Sequence, residues 1–279
     1  MLSKDTLQFL DDLKANNNRD WFLDNKKRYE TFKKDYQQLV SDFLDAMKPL
    51  DPSLEMLEVK NCTFRINRDI RFSKDKSPYK SHLGVWLSSG AKNQNRSGYY
   101  VHIEKGASFI AGGLYCPQPD DLKKMRKEIA YFHDDLDEIL NEKKFKKEFG
   151  DFDRNETNTL KNPPRGYEKD HPAVELLKLK SFESSQKFDI SEITKKDFVA
   201  TMSQKLIALK PLNDFINKKD KTFNIKTLDI KYSPVTSQNR IPLLQNGTVD
   251  IECGSTTNNA TRQKDVAFAV TTYVEEIRI

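Results

Sequence analysis

The sequence predicts an α+β protein in which an antiparallel sheet packs with long helices, followed by a partial βαβ segment. Three observations lead to this prediction. Apolar residues recur at three- and four-residue spacing near the N-terminus and again after Pro119, which is typical of amphipathic helices. Between these regions lie short, aromatic, partly alternating segments separated by Gly and Ser, as expected of antiparallel strands. Residues 228–253 then follow the order strand, helix, strand, which the earlier part of the chain does not contain.

The N-terminal region predicts two helices. Ser3 is a favourable N-cap for a short helix that ends before three consecutive asparagines. Apolar and aromatic residues then recur at helical spacing from Trp21 to Met47. This pattern predicts one long helix, which Pro49 and Pro52 bring to an end.

Four segments in the next part of the chain predict strands. Their sequences are CTFRI (62–66), HLGVWL (82–87), YYVHIE (99–104) and SFIAGGLY (108–115). Because side chains alternate along a strand, Tyr100, His102 and Glu104 should share one face of the third segment. Val101 and Ile103 should lie on the opposite face.

The remaining elements complete the α+β order. A helix is predicted from Pro119 to about residue 139, and a loop at 163–166 leads into a helix through VELLKLK. A strand through SFESSQKFDI and a last helix from Asp197 to about Asn217 follow. Helices before and after one group of strands indicate an α+β domain over residues 1–220 and a distinct segment over 221–279.

Composition narrows the class of protein. The 279 residues include 17 Phe and 10 Tyr, enough for a core, although 32% of the residues are charged. No apolar run approaches the roughly 18 residues of a membrane helix, and the N-terminus lacks a secretory pattern, so we expect a cytoplasmic protein without a membrane partner. Three isolated cysteines predict neither a disulfide framework nor a zinc site, and no motif calls for a cofactor.

Basic side chains are most concentrated in the segment FRINRDIRFSKDKSPYKSHLGVWL. Its forked guanidinium groups suit a carboxylate or a phosphate, which predicts a pocket for a small anionic ligand. The net charge of +5 is small for this length, so a nucleic acid is a less favoured ligand, though not an excluded one. The alternative is a solvated basic loop whose charges pair with Asp69 and Asp75. The anion-binding candidates are Arg65, Arg68, Arg71, Lys76, Tyr79, Lys80, His102 and Glu104.

An enzymatic alternative uses the same region. His102 and Glu104, two apart on a strand, suit a general base with its orienting carboxylate, or two metal ligands. A hydrogen-bonded structural histidine explains the same pattern. Arg165, Tyr167 and His171 form a further candidate in a proline-rich loop, where they can equally serve the turn. Without a GxSxG, HExxH or partnered cysteine, catalytic residues are not assigned and the class of enzyme stays open.

Residues 1–220 resemble a known family. The stretches RDIRFSKDKSPYKSHLGVWL, GYYVHIEKGASFIAGGLY and LKNPPRGYEKDHPAVELLKLKSF are similar, in this order, to the family called domain of unknown function 2461. The resemblance implies that most of the anion-binding candidates, with His102, belong to the family's shared pattern. It implies no activity, substrate or cofactor.

The tail resembles a different family. Residues 227–279 are similar to an internal fragment of the glutamate/aspartate-binding proteins of bacterial ABC importers, which makes the C-terminus chimeric. The resemblance implies that Arg262, with Ser255 and Thr257, contacts the α-carboxylate of the amino acid. It implies that Arg240 and Ser237 contact the distal carboxylate. Because the fragment covers only part of one lobe of a two-lobed protein, we expect it not to bind glutamate or aspartate tightly.

Overall fold

A four-stranded antiparallel sheet organises the first part of the chain. The computed structural model describes residues 2–91, 96–217, 235–236, 238–245 and 264, and the chain divides into two compact units, Met1–Asp220 and Lys221–Ile279. The strands of the first unit are β1 (Leu83–Leu87), β2 (Gly98–Ile103), β3 (Phe109–Leu114) and β4 (Phe182–Lys187), and they pair in the order β1-β2-β3-β4. Together with the helices, this sheet confirms the predicted α+β class.

The strand register separates a buried face from a partly exposed face. Val85 pairs with Val101, and both side chains are fully buried. The neighbouring pair, Gly84 opposite His102, lies on the other face, where His102 is only partly buried. The alternation predicted for β2 is therefore confirmed, because Val101 and Ile103 are buried while Tyr100 and His102 are partly exposed.

Helices surround this sheet. Those of the first unit are α1 (Lys4–Ala15), α2 (Arg19–Asp24), α3 (Lys26–Met47), α4 (Val59–Cys62), α5 (Pro119–Asn141), α6 (Lys143–Glu148), α7 (Val174–Leu177), α8 (Phe198–Leu206) and α9 (Lys210–Asn217). Short 3-10 turns occupy Pro52–Leu54, Ile190–Thr194 and Ile207–Leu209. In the described ranges, every helix is too short or too polar to cross a lipid bilayer.

The core lies where helix α3 packs against α8 and the edge strand β1. Along α3, the side chains of Leu39, Phe43 and Met47 are fully buried, as their three- and four-residue spacing requires. Phe43 meets Phe198 of α8 edge-on, with ring centroids 6.0 Å apart. Each such side chain contributes about 1.5–3 kcal/mol when it leaves water, so this face determines where α3 sits.

Two predicted elements are wrong in the first unit. The long helix predicted from Trp21 is interrupted at Asn25, whose backbone is not helical and whose side-chain amide donates to the Trp21 carbonyl. The strand predicted at 62–66 is absent, because α4 ends at Cys62 and only Thr63 makes a bridge, to Val85. The apolar spacing of the sequence continues through both sites and so does not reveal either difference. Whether an asparagine side chain bonds to the backbone, and whether a segment pairs with the edge of a sheet, depends on local geometry.

The second unit has one described helix. Helix α10 (Arg240–Gln245) confirms the short helix predicted there. Before it, Thr236 and Asn239 exchange hydrogen bonds, with the Thr236 amide donating to the Asn239 side-chain oxygen at 2.6 Å. The strands predicted at 228–232 and 248–253 lie outside the described residues.

The hydroxyl of Tyr36 connects helix α3 to the sheet and to the segment that follows α4. It donates to the backbone carbonyl of Gly84 in β1 and accepts from the backbone N–H of Phe64 at 2.8 Å. Tyr36 is buried, and this burial raises the pKa of its hydroxyl well above the usual value, so the group stays neutral. One side chain thus satisfies two backbone groups from two different elements.

We expect Tyr36→Phe to lower the free energy of unfolding by about 1–3 kcal/mol, because it leaves two backbone groups without their partner. Urea titration of the full chain measures this loss. Tyr29→Phe is the matched control, since the Tyr29 hydroxyl has no hydrogen bond within the described part of the chain. Equal stability of the two variants would contradict the bridging role.

Glu183 makes stability depend on pH. Burial on β4, with repulsion from Asp153, raises the pKa of Glu183 from 4.5 to about 7. Between these values the folded state holds a proton that the unfolded state releases, so stability falls as the pH rises from 4.5 through 7. Partial exposure screens the effect, which we place at about 1–2 kcal/mol.

We therefore expect Glu183→Gln to be more stable than the natural chain above pH 7 by about 1–2 kcal/mol and equally stable near pH 4. Denaturant titrations across this range test the prediction. The exposed Glu168→Gln is the control and should leave the pH profile unchanged. A stability difference that does not vary with pH would exclude the proton linkage.

Candidate functional site

A cleft of about 470 Å³ opens beside the edge strand β1. It lies between helix α3, residues 63–66 and residues 80–84, with Tyr100 of β2 contributing from the next strand. Its wall is mainly aromatic and aliphatic and includes Tyr29, Phe32, Tyr36, Phe64, Ile66 and Leu83. The volume is that of a small-molecule site, since such pockets usually measure about 300–1,000 Å³.

Gly84 shapes one wall of the cleft. A Cβ atom at this position would lie 2.6 Å from the Tyr100 hydroxyl and 2.9 Å from a carbon of its ring. The absence of a side chain therefore lets the Tyr100 ring lie across β1. Tyr36 also lines the cleft, and its hydroxyl is bonded to Gly84 and Phe64.

The charged residues of the cleft are all cationic. Lys33, Arg65 and Lys80 line it, and none of the fourteen residues around it is Asp or Glu. Lys80 Nζ donates to the Arg65 carbonyl at 2.7 Å and lies 5.8 Å from the centroid of the Phe64 ring. Lys33 and Arg65 are exposed and form no salt bridge with the residues that the structure describes. The cleft consequently offers a positive field to a ligand.

The other arginines of the basic segment are paired with nearby carboxylates. Arg68 bonds to Asp75 and, at 3.1 Å, to the Ser77 carbonyl. Arg71 contacts both oxygens of Asp69 at 3.0 and 2.8 Å, although its side chain is 76% exposed. The hydrogen bonds from Arg71 lower the pKa of Asp69 to about 2. This part of the segment is the self-neutralised loop that the sequence left open as an alternative.

The remaining candidates have other surroundings. Lys76 Nζ donates to the Ile70 carbonyl at 3.0 Å and so closes the same loop. Tyr79 is 7% exposed and stacks on Phe22 with centroids 4.1 Å apart, which places it in the core. Of the eight anion-binding candidates, Arg65 and Lys80 are the two that line the cleft.

A second cluster of polar side chains adjoins the cleft. His102 Nδ1 lies 3.0 Å from the Tyr100 hydroxyl, and His102 Nε2 lies 3.3 Å from Glu104 Oε2. The other carboxylate oxygen, Glu104 Oε1, accepts from Lys14 Nζ at 2.9 Å. The His82 ring packs on the His102 ring with centroids 4.5 Å apart, and His82 also lines the cleft. One ligand atom each of His82, His102 and Glu104 lies within 4.8 Å of the other two.

Burial keeps both imidazoles of this cluster neutral. It lowers the pKa of His82 to about 4, and the adjacent His102 and the nearby Lys80 add to this effect. Burial also lowers the pKa of His102, against the opposing influence of Glu104. Burial alone would raise the pKa of Glu104, but hydrogen bonds from Lys14 and His102 outweigh it and keep the carboxylate charged. The cluster thus combines two neutral imidazoles with one anion.

The proline-rich loop is not part of the cleft. His171 Nδ1 accepts from the Ala173 amide at 3.1 Å, which is a local turn contact before α7. Its ring meets those of Tyr167 and His133 edge-on, each with centroids 6.1 Å away. Arg165 is exposed, and none of these residues lines the cleft.

Three residues of the site were missed by sequence reasoning. Tyr36 was counted with the amphipathic helix, Lys33 was not singled out, and His82 was noticed only as one member of the basic segment. The available signal is the spacing of Tyr29, Lys33 and Tyr36, which places them on one face of α3 and mixes a cation with two hydroxyls. A helix face that only packs against the core would carry apolar residues throughout, without a lysine at position 33.

Only one of the predicted tail residues is described. Arg240 is the first residue of α10, and its Nε donates to the Thr236 carbonyl at 3.3 Å. Ser237, Ser255, Thr257 and Arg262 lie outside the described residues.

Comparison with known proteins separates the two parts of the chain. Residues 213–279 match the family of bacterial extracellular solute-binding proteins, family 3. The glutamate/aspartate import solute-binding protein of Escherichia coli K12 is 54% identical over 67 residues, which cover 24% of this chain and 22% of that protein. The L-glutamate/L-aspartate-binding protein of Pseudomonas aeruginosa PAO1 is 66% identical over 50 residues, covering 18% of this chain and 17% of the relative.

The chain therefore spans only about a fifth of the length of these curated relatives. No solved structure matches the chain. The larger part of the chain is similar to a different family. Residues 5–215 match the family described as conserved hypothetical protein (DUF2461). That match covers most of the 279 residues and contains the cleft and the histidine cluster. The chain belongs to the DUF2461 family.

Proposed function

We propose that the cleft beside β1 binds a small anion, a carboxylate or phosphate attached to an apolar or aromatic body. The observation that carries the proposal is the combination of three lining cations with an absence of lining carboxylates. A pocket of about 470 Å³ matches a small ligand rather than a nucleic acid, which needs an extended positive surface.

The geometry supports distinct roles for the lining residues. The exposed cations Lys33 and Arg65 are available to the charged end of the ligand. Tyr29, Tyr36 and Tyr100 offer aromatic surface to its body. A forked guanidinium beside an apolar wall is a favourable arrangement for a carboxylate or phosphate, because partial desolvation strengthens the ionic hydrogen bonds.

We expect phenyl phosphate to bind the full chain more tightly than phenol, which lacks the charge. Arg65→Ala and Lys33→Ala should each weaken binding about tenfold, since loss of a hydrogen bond to a charged group costs about 1.5 kcal/mol. Isothermal titration measures both effects, and higher salt should weaken binding as the exposed cations are screened.

The matched control is Arg71→Ala, which removes an arginine whose charge is already paired with Asp69. It should leave the dissociation constant unchanged. An equal loss in Arg71→Ala and Arg65→Ala would show a diffuse charge effect instead of a defined site. Failure of phenyl phosphate, benzoate and inorganic phosphate to bind would contradict the proposal.

A second candidate function, acidic amino-acid binding, rests on the similarity of residues 213–279 to glutamate/aspartate-binding proteins. Because the matching segment is about a fifth of those proteins, it supplies at most part of one cleft wall. We infer weak binding, since arginine–carboxylate contacts that are not enclosed in a cleft contribute only about 1 kcal/mol each. Micromolar affinity requires about 8 kcal/mol.

We accordingly expect titration of the full chain with glutamate or aspartate to give no saturable heat below about millimolar concentration. Arg262→Ala is the variant that decides the outcome. A micromolar dissociation constant that Arg262→Ala abolishes would make amino-acid binding a function of the tail and overturn this expectation.

A further inference from the structure

The cluster of His82, His102 and Glu104 has a composition that anion binding does not explain. Two imidazoles and a carboxylate offer three ligand atoms to a metal ion, whereas a carboxylate repels an anion. Among the residues that the structure describes, these three form the one group of at least three potential ligands able to meet at a single metal ion.

We propose that His82, His102 and Glu104 bind a divalent transition-metal ion of the zinc class. Nitrogen and oxygen ligands of these types lie about 2.0–2.2 Å from zinc, so two ligands at the tetrahedral angle are about 3.3–3.6 Å apart. The three ligand atoms already lie within 4.8 Å of one another. Side-chain rotations that bring these atoms closer by roughly 1 Å would place them at coordination distance.

The surroundings of His102 orient it as a ligand. Its Nδ1 lies 3.0 Å from the Tyr100 hydroxyl, while its Nε2 faces Glu104. With an ion bound, the Nε2 lone pair would face the ion in place of the hydrogen bond to Glu104, and the ring proton would lie on Nδ1 and be donated to the Tyr100 oxygen. Phe109 stacks on the ring at 4.8 Å and limits its rotation. Tyr100 is therefore a positioning residue for this ligand.

Glu104 already interacts with a cation through one oxygen. Lys14 Nζ binds Oε1 at 2.9 Å, which leaves Oε2 on the side of His102. The side chain of Lys14 is 58% exposed and can move away without disturbing the core. An ion in the cluster would share or replace the ammonium group as the counter-charge of the carboxylate.

His82 supplies the observation that favours a metal over a structural hydrogen-bond network. It is half-buried, yet neither ring nitrogen has a hydrogen-bond partner among the described residues. Ring nitrogens without a protein partner are available to another ligand. Coordination of a metal ion would use one of these nitrogens.

Three protein ligands leave a coordination position open on zinc, which usually takes four ligands. His82 and Tyr100 also line the cleft, so the ion would lie at its border. The metal site uses different side chains from Lys33 and Arg65. Loss of anion binding in those variants therefore does not affect metal binding, and the two proposals fail independently.

Titration of the chelator-treated full chain with Zn²⁺ tests the proposal, and Co²⁺ provides a visible spectrum that reports the ligand field. We expect one ion per chain. His82→Gln, His102→Gln and Glu104→Gln should each weaken affinity about 100-fold or more, and Tyr100→Phe about tenfold, the range for residues that orient a ligand. Each variant is first checked for cooperative unfolding.

The chain offers a matched control in its other two histidines. His133 and His171 also form a ring pair, with centroids 6.1 Å apart, but they lack a third ligand in the described part of the chain. The variant His133→Gln/His171→Gln should bind Zn²⁺ as the natural chain does. Equal loss in this variant and in His102→Gln would overturn the proposal, as would Zn²⁺ binding that persists in both His82→Gln and His102→Gln.

Lys14→Ala gives an effect that misfolding cannot imitate. Removing the ammonium from Glu104 removes both a competitor for the carboxylate and a positive charge near the ion, so affinity should rise about threefold or more. If the histidine variants fail to fold, this gain together with nitrogen-ligand bands in the Co²⁺ spectrum supports the site. Absence of Zn²⁺ binding at micromolar concentration, or weaker binding in Lys14→Ala, refutes it.

Discussion

The hydroxyl of Tyr36 is the contact on which the arrangement of the cleft depends. Helix α3 is positioned by its buried apolar face, but that face alone does not specify how the edge of the sheet meets the segment after α4. By bonding to Gly84 in β1 and to Phe64 in that segment, Tyr36 places three elements at one point. A buried polar group without a partner is costly. Other placements of these three elements would break the hydrogen bonds of Tyr36, whereas an apolar contact would tolerate small shifts between them.

Charge pairing decides which members of the basic segment can act on a ligand. Arg68 and Arg71 lie close in sequence to Asp75 and Asp69 and are paired with them in the structure. Arg65 precedes this loop and lies close to Thr63, which forms a bridge to Val85 of β1. Its side chain lines the cleft instead of pairing within the loop. The same residue type thus closes a loop at two positions and lines a pocket at a third.

Sequence reasoning predicted the α+β class, most of the elements and the alternation along β2. These follow from local periods, and the period of two placed Tyr100 and His102 on one face correctly. The interruption of the helix at Asn25 was not predictable, because an asparagine side chain can either face solvent or cap a turn.

The candidate site was predictable only in part, for a related reason. Arg65 and Lys80 were identified from charge, whereas Lys33 and His82 join them through tertiary packing of α3 against β1. That packing connects residues far apart in sequence, and no local pattern records it. Tyr79 shows the opposite error, since an aromatic residue within a basic segment turned out to pack in the core.

The order of the strands has a consequence for how the protein assembles. Strands β1, β2 and β3 follow one another along the chain, whereas β4 joins the sheet only after helices α5, α6 and α7. All residues that line the cleft precede β3. Closing the short loops between β1, β2 and β3 costs less entropy than closing the long connection from β3 to β4, so the strands that border the cleft form the more local part of the sheet. During synthesis from the N-terminus, that part leaves the ribosome before the strand that completes the sheet.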